Sequence, residues 1–493
     1  MMIEAYCRRQ SYGSGQTAEV CVSTDAKTFS YEVRRMGLHA TTLTTGTCAG
    51  AFHAVPQDAV RNGCAWPTAL GIPVPPDARS GFYVVELKTP SGEMAETYFV
   101  LRSAKPTSSI LWVIETNTWN AYNVFGGAST YTSGDGGYLG GAPVVSFERP
   151  LPKGFISLPA SPQRLAALAP GAADVFMDWV TENDLSMWCG AASWSQWGAK
   201  FAAWLDSEGI AVDYAANGDL QEFPDLLDGY KLMLSIGHDE YWTWDMRDTV
   251  EQFIGRGGNV AFLSGNTAYW QVRIENDGRQ MVAYKVNVDQ DPVLGTDRER
   301  HNSGIWSHRL TARPENQMTG VSFTRGGYAR LAGATPASAG GYTIYRAGHW
   351  ALDGTGLSYG DQFGAAHTIV GYECDGCSLG FQNGLPYPTG EDGTPSNFEI
   401  IGIAPVALFN KETAPPGLYP EGSLSDIEVV ALQVAGDLKP ESLARFAHGH
   451  AVMGAYTSAA GGTVFTSGTT DWIYGLADAQ VARVTRNVID RLG

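Results

Sequence analysis

The stretch Leu232-Met-Leu-Ser-Ile-Gly-His-Asp-Glu-Tyr-Trp242 decides how this chain is read: an apolar, strand-like run ends in a glycine and delivers His238, Asp239 and Glu240 at its tip. Thr243 to Arg256 carries helical spacing in Met246, Val250, Phe253 and Ile254, and Gly257-Gly258 stops it. A second apolar run, Val260 to Leu263, exits into Ser264-Gly265-Asn266-Thr267. This is a strand–helix–strand unit with polar residues at both strand exits, where open α/β sheets hold their ligands.

Around that unit the composition sets bounds. A chain of 493 residues, 44% of them apolar, is expected to form two or three domains with ordinary cores. The 33 basic and 51 acidic residues give a net charge of −18, which opposes binding to nucleic acid or anionic lipid, and no Lys/Arg cluster overrides it. No apolar run reaches membrane-spanning length, and the N-terminus places charge where a secretion signal would be apolar, so cytoplasmic residence is expected. Seven scattered cysteines, an odd number, fit free thiols.

The fold class expected is α/β with β additions. Residues 1–105 alternate short β-type runs with Gly, Pro and Asp turns, as in a β-sandwich. Ile110 to Ile114 reads as the first buried strand of an α/β domain filling 106–280, with helical patterns at Ala172 to Val180 and Phe201 to Leu205, and a sheet expected to be largely parallel. Residues 281–400 are Gly-rich and strand-prone, including His367 to Glu373, and read as a β-rich insertion or extension. Residues 401–493 complete the α/β layer, closing with a helix over Asp478 to Leu492.

Several constellations carry candidate chemistry. Asn117 to Tyr131 follows the strand at Ile110 to Ile114; if that strand and Leu232 to His238 are parallel neighbours, Tyr122 and Tyr131 share a rim with Glu240. Two phenolates and a carboxylate are hard donors totalling about −3 in charge, a match for a trivalent cation such as ferric iron. The alternative is two rim tyrosines with hydroxyls bonded to backbone. His238 lies two residues from Glu240, on the same face of an extended strand, and three roles are open to it: ligand, general base or rim histidine. Asp239 points the other way and is expected to cap the next turn. Asn266 is either a substrate-orienting amide or an Asx turn, and Glu373 either a buried base or a strand-end carboxylate. Cys374-Asp-Gly-Cys377 is half a zinc pattern without its second half and is assigned no metal. Cys189 supports a rival reading, a thiol nucleophile, although no G-x-C-x-G elbow surrounds it.

Together these motifs resemble the large (beta) subunit of the N,N-dimethylformamidase family, in its C-terminal region. The resemblance rests on Thr118-Trp-Asn-Ala-Tyr-Asn123, Gly126-Gly-Ala-Ser-Thr-Tyr131, Gly237-His-Asp-Glu-Tyr-Trp242, the run from Gly257 to Arg273, Gly371-Tyr-Glu-Cys-Asp375 and Gly461-Gly-Thr-Val-Phe465, and covers roughly residues 108 to 493. It implies a mononuclear Fe(III) held by Tyr122, Tyr131 and Glu240, with His238, Asn266 and Glu373 as the surrounding acid/base and orienting groups. It also implies a fold related to class I glutamine amidotransferases but without their cysteine nucleophile. The tract before Tyr131 looks shorter here than in the family, which makes Tyr138 the alternative second tyrosine. The chain also looks too short for the family's extra N-terminal lectin-like part.

The function expected is therefore an iron-dependent hydrolase cleaving the C–N bond of a small N-substituted amide, with either Glu373 or His238 transferring the proton. The alternatives are a cysteine-dependent amidase using Cys189 and a non-catalytic sugar- or partner-binding protein. A homo-oligomer is expected, and a small partner subunit stays open.

Overall fold

The computed structural model describes residues 2–132, 141–160, 175–329, 338–414, 418–419 and 421–493. Two compact units emerge, neither contiguous in sequence. The first takes Met1–Ala160, Asn183–Tyr230 and Arg273–Ala283; the second takes Ser161–Glu182, Lys231–Val272 and Tyr284–Gly493. This partition cuts across the four consecutive segments expected from sequence texture, because each unit gathers strands from distant parts of the chain.

The first unit opens with two antiparallel-dominated sheets. One orders Ile3–Cys7, Thr17–Thr24 and Thr68–Pro73; the other orders Ser11–Gly13, Met94–Arg102, Gly81–Lys88, Thr28–Arg35 and Thr41–Ala49. Period-two alternation sends Val20 and Val22 from one sheet, and Phe29, Val33, Val85, Leu87, Phe99 and Leu101 from the other, into one shared core. The polar link at Ser103 to Ser109 is tied to a buried acid: Asp213 accepts from Ser103 Oγ (2.8 Å), Thr107 N (2.7 Å) and Thr107 Oγ1 (2.6 Å). From that anchor Ile110–Ile114, buried throughout, pairs in parallel with Asp213–Ala216. Trp112 packs on Trp194, which opens a π-helical turn, Trp194–Gly198, ahead of the helix Ala199–Ser207.

The second unit contains the strand–helix–strand element. Leu232–His238 runs parallel to Asn259–Gly265, which runs parallel to Thr463–Thr466. Between the first two lies the helix Trp244–Gly255, burying Met246, Val250, Phe253 and Ile254. Its N-cap is Thr243, whose hydroxyl accepts from Met246 N. Beyond Thr463–Thr466 the sheet continues antiparallel through Gly449–Thr457, Glu399–Val406, Tyr342–Ile344 and Gln362–Phe363. The parallel pairing expected within 106–280 is found for Ile110–Ile114 with Asp213–Ala216 and for Leu232–His238 with Asn259–Gly265; the antiparallel strands come from later residues, where a short Gly-containing turn over 458–462 folds Gly449–Thr457 back as a hairpin partner, antiparallel by construction. The strand read over His367 to Glu373 is corrected. Thr368 sits at φ 52°, in the left-handed region, so the extended run breaks, although Ile369 and Val370 stay fully buried. The helix expected from 172 is described as Val175–Glu182. The closing helix Ala479–Leu492, capped by Asp478, buries Val481, Val484, Val488 and Leu492.

Candidate active site

In the first unit, the strand Ile110–Ile114 leads into the helix Thr116–Tyr122, every residue of which is buried. The chain loops through Gly126 and Gly127 and returns at Ser129, Thr130 and Tyr131. Thr130 donates both its amide and its hydroxyl to the Ala121 carbonyl, each at 3.0 Å, which ties together the residues preceding the two tyrosines. The Tyr122 hydroxyl accordingly donates to the Tyr131 hydroxyl at 2.9 Å, with ring centroids 4.4 Å apart and exposures of 1% and 6%. Trp188 packs on both rings. Gly141 lies against the backbone that carries Tyr131: a Cβ there would sit 2.3 Å from the Thr130 carbonyl carbon and 2.5 Å from Tyr131 N. Tyr138, the alternative to Tyr131, lies outside the described residues.

In the second unit the structure brings together His238, Glu240, Asn266 and Glu373. His238 ends its strand opposite Gly265, and its Nε2 lies 2.7 Å from Glu373 Oε2 and 3.3 Å from Glu240 Oε2. The offset of two residues puts both side chains on one side, as extended backbone requires. Of the two readings of Asn266, the Asx turn is corrected, because its side-chain oxygen accepts no hydrogen bond. At φ 48° it turns the chain, and its Nδ2 donates to Glu373 Oε2 at 3.0 Å, while its Oδ1 is buried without a hydrogen-bond partner. Glu373 arrives through backbone pairing, since Thr470 N donates to its carbonyl at 3.0 Å. Gly265 permits that approach, because a Cβ there would lie 2.4 Å from Thr470 N and 2.6 Å from Glu373 O. Asp239 turns its carboxylate away from His238 and Glu240, toward Trp242 and Ser235. It is fully buried, accepting from the Trp242 indole (2.9 Å) and the Ser235 hydroxyl (2.8 Å), and so braces the segment that carries His238 and Glu240.

Two groups near this cluster escaped the sequence reading. Asp375 accepts from the amides of Asn266 (2.9 Å) and Thr267 (3.1 Å), fixing the strand exit. Burial pushes its carboxyl up to about 8, against the pull of those two amides. It closes the Gly371-Tyr-Glu-Cys-Asp375 motif two residues after Glu373, a position that gave it no role of its own. Lys285 is 1% exposed, sits at φ 57° and donates to the Tyr241 hydroxyl at 2.9 Å. Burial pulls its ammonium well below the usual range, while the charges of Glu240, Glu373 and Asp426 act against that shift. No motif or periodicity marks it. The second unit therefore holds an imidazole against two carboxylates in surroundings dry enough to shift ionisation, a setting suited to proton transfer.

The donor chemistry fits a hard, highly charged cation. The Tyr122 and Tyr131 hydroxyl oxygens lie side by side, 2.9 Å apart, so both would be available to such an ion. Phenols and carboxylates are hard donors throughout. Among the described residues no group of three or more His, Cys, Asp or Glu is arranged to hold a metal. Cys189 is fully buried in a 3-10 turn, Met187–Gly190. Cys374 and Cys377 are buried free thiols, and the former contacts the Thr469 hydroxyl. No helix among the described residues is long and apolar enough to cross a membrane.

Comparison with known proteins adds family. Two curated relatives, the N,N-dimethylformamidase beta subunits of Alcaligenes sp and Paracoccus aminophilus, are 36% and 38% identical over 72 residues. The match spans 14% of this chain and 9% of each relative, so the chain covers only a small part of their length. Among solved structures, the sporulation control protein Spo0M of Bacillus subtilis aligns at 11% identity and a TM-score of 0.15, over 21% of this chain and 49% of that one. That score carries no argument about fold. A family model, by contrast, matches residues 29–486, taking in most of the N-terminal β region that the resemblance from about 108 had left out. A match over that much of its length makes this chain a member of the N,N-dimethylformamidase beta subunit-like, C-terminal family.

Proposed function

We propose that the chain is a hydrolase cleaving the C–N bond of a small N-substituted amide, with ferric iron held by Tyr122, Tyr131 and Glu240. The observation that carries this reading is the pair of buried phenols with oxygens 2.9 Å apart, a grip that a thiol mechanism has no use for. When bound, such an ion supplies Lewis acidity, polarising an amide carbonyl and making water acidic near neutral pH. The chain's own residues supply the proton chemistry. Glu373 and His238, 2.7 Å apart, act as one proton-handling pair that takes a proton from water and returns it to the leaving amine, an effect of about 10² to 10⁴ in rate. Asn266 holds Glu373 Oε2 in place. Glu240 serves as ligand and lies 3.3 Å from His238 Nε2.

The kinship of the α/β region with class I glutamine amidotransferases belongs to this proposal, as do a homo-oligomeric state and a companion chain. The last is suggested by relatives named as beta subunits. The test is to purify the chain, measure bound iron, and assay amine release from a panel of N-alkyl amides before and after thiol alkylation. Iron retention with amine release indifferent to alkylation is expected. A metal-free active protein, or activity lost on modifying Cys189 with iron retained, overturns the proposal.

A further inference from the structure

Arg149 is 2% exposed, yet among the described residues its guanidinium meets no carboxylate. Burying a cation without a counter-charge is costly, and such a group persists only where its donors are fully used. Both of its terminal nitrogens are used on one segment. Nη1 donates to the carbonyls of Asn123 (3.1 Å), Phe125 (2.9 Å) and Ala128 (3.3 Å), Nη2 to the carbonyl and side-chain oxygen of Asn120 (both 3.4 Å), and Nε to Ser146 O (2.9 Å). Residues 120–128 close the helix that ends in Tyr122 and form the loop that returns to Tyr131. This loop makes little regular structure of its own, so its carbonyls need a donor, and only arginine offers five in a rigid fork. The positive charge also suits the carbonyl end of a helix. Burial draws the guanidinium down to about 9, which leaves it charged at neutral pH.

We infer that Arg149 is the positioning residue that sets the Tyr122–Tyr131 pair, by clamping the carbonyls of the loop between them. The inference rests on the proposed role of that pair as iron donors, and it makes the metal grip depend on a residue that touches neither phenol. Nothing in the motifs carrying the family resemblance includes Arg149.

The experiment pairs two readouts on the full chain: hydrogen exchange resolved to residues 120–131, which needs no metal, and ferric-ion affinity followed by visible absorption. Arg149→Lys keeps the charge but cannot reach the same set of carbonyls. It is expected to speed exchange in 120–131 by about tenfold or more, leaving residues 81–102 unchanged, and to weaken iron binding by at least the same factor. Tyr122→Phe should weaken iron binding without opening the loop. An Arg149→Lys protein with unchanged exchange, or with an opened loop and unchanged iron affinity, overturns the inference. If Arg149→Lys fails to fold, Asn123→Ala removes the side-chain ties to Pro150 O and Phe125 N while leaving the cation in place. An opened loop with full iron affinity in that variant is equally fatal. If the wild-type chain binds no iron at all, the functional reading fails by itself, and the exchange data still decide whether Arg149 holds the loop.

Discussion

Replacing Asn266 with aspartate keeps the shape of the side chain and reverses its relation to Glu373. In the native protein Asn266 Nδ2 donates to Glu373 Oε2 at 3.0 Å, in a setting where both residues are buried. A hydrogen bond to a charged acceptor contributes about 1.5–3 kcal/mol, or roughly 10- to 150-fold in any step that needs the ionised, oriented Glu373. Aspartate removes that bond and sets a second carboxylate about 3 Å away, so the pair keeps a shared proton up to a higher pH than either group alone would. The sign is fixed: a neighbouring like charge raises the carboxyl pKa. The acidic limb of the kcat/KM profile for amine release should therefore move to higher pH, and the plateau should fall by at least tenfold. Asn266→Ala should lower the plateau without moving the limb as far, and should also lose about 1 kcal/mol of stability, because alanine tolerates φ 48° less well than asparagine. Asn266→Gly should recover that stability loss but not the rate. The assay is amine release across pH 5 to 9 with denaturant melts in parallel. An Asn266→Asp protein with an unshifted profile and undiminished kcat/KM would refute the assignment of Glu373 as the proton-handling carboxylate.

Gly141→Ala would place a methyl 2.3 Å from the Thr130 carbonyl carbon; a cost of about 1–3 kcal/mol in denaturant unfolding and a loss of iron stoichiometry are expected, whereas Gly218→Ala, which meets nothing within 4 Å, should change neither. Glu315 is fully buried beside the Ser307 hydroxyl, and burial raises its carboxyl to about 7 from 4.5. Between those values the unfolded chain releases a proton that the folded one keeps, so wild-type stability relative to Glu315→Gln should fall by about 3 kcal/mol from pH 4.5 to 7 and be level above it. A difference that is flat across this range would show Glu315 to be ionised in the fold.

What the sequence made legible was local. Met246, Val250, Phe253 and Ile254 share a helix face because their spacing leaves no other way to bury them, and Thr243 and Gly257 mark that helix's limits by side-chain capping and backbone freedom. His238 and Glu240 were recognisable as a pair for the same reason, the period of an extended strand. The partnerships that define the cluster were not legible. Glu373 meets Asn266 across 107 residues of chain and is set by Thr470, 97 residues away, whose amide donates to the Glu373 carbonyl and whose hydroxyl accepts from the Glu373 amide. The bonds of Asp239 to the Trp242 indole and the Ser235 hydroxyl, one residue three places on and one four places back, were equally hidden, because they depend on how the segment turns in a dry interior. Arg149 is hidden for a different reason: it binds carbonyls, and carbonyls leave no trace in a sequence. The run from His367 misled because its apolar residues are buried without being extended.

The central claim is that Tyr122 and Tyr131 bind ferric iron as phenolates. A phenolate donating into a ferric ion absorbs visible light, whereas an unperturbed phenol keeps its proton to a pKa of about 10 and absorbs none. The decisive measurement is the visible spectrum of the iron-loaded chain beside those of Tyr122→Phe and Tyr131→Phe, with iron content determined on the same samples. The account predicts a coloured parent and, in each variant, loss of the band together with most of the iron. A colourless parent carrying iron, or a Phe variant keeping full colour and full occupancy, contradicts it.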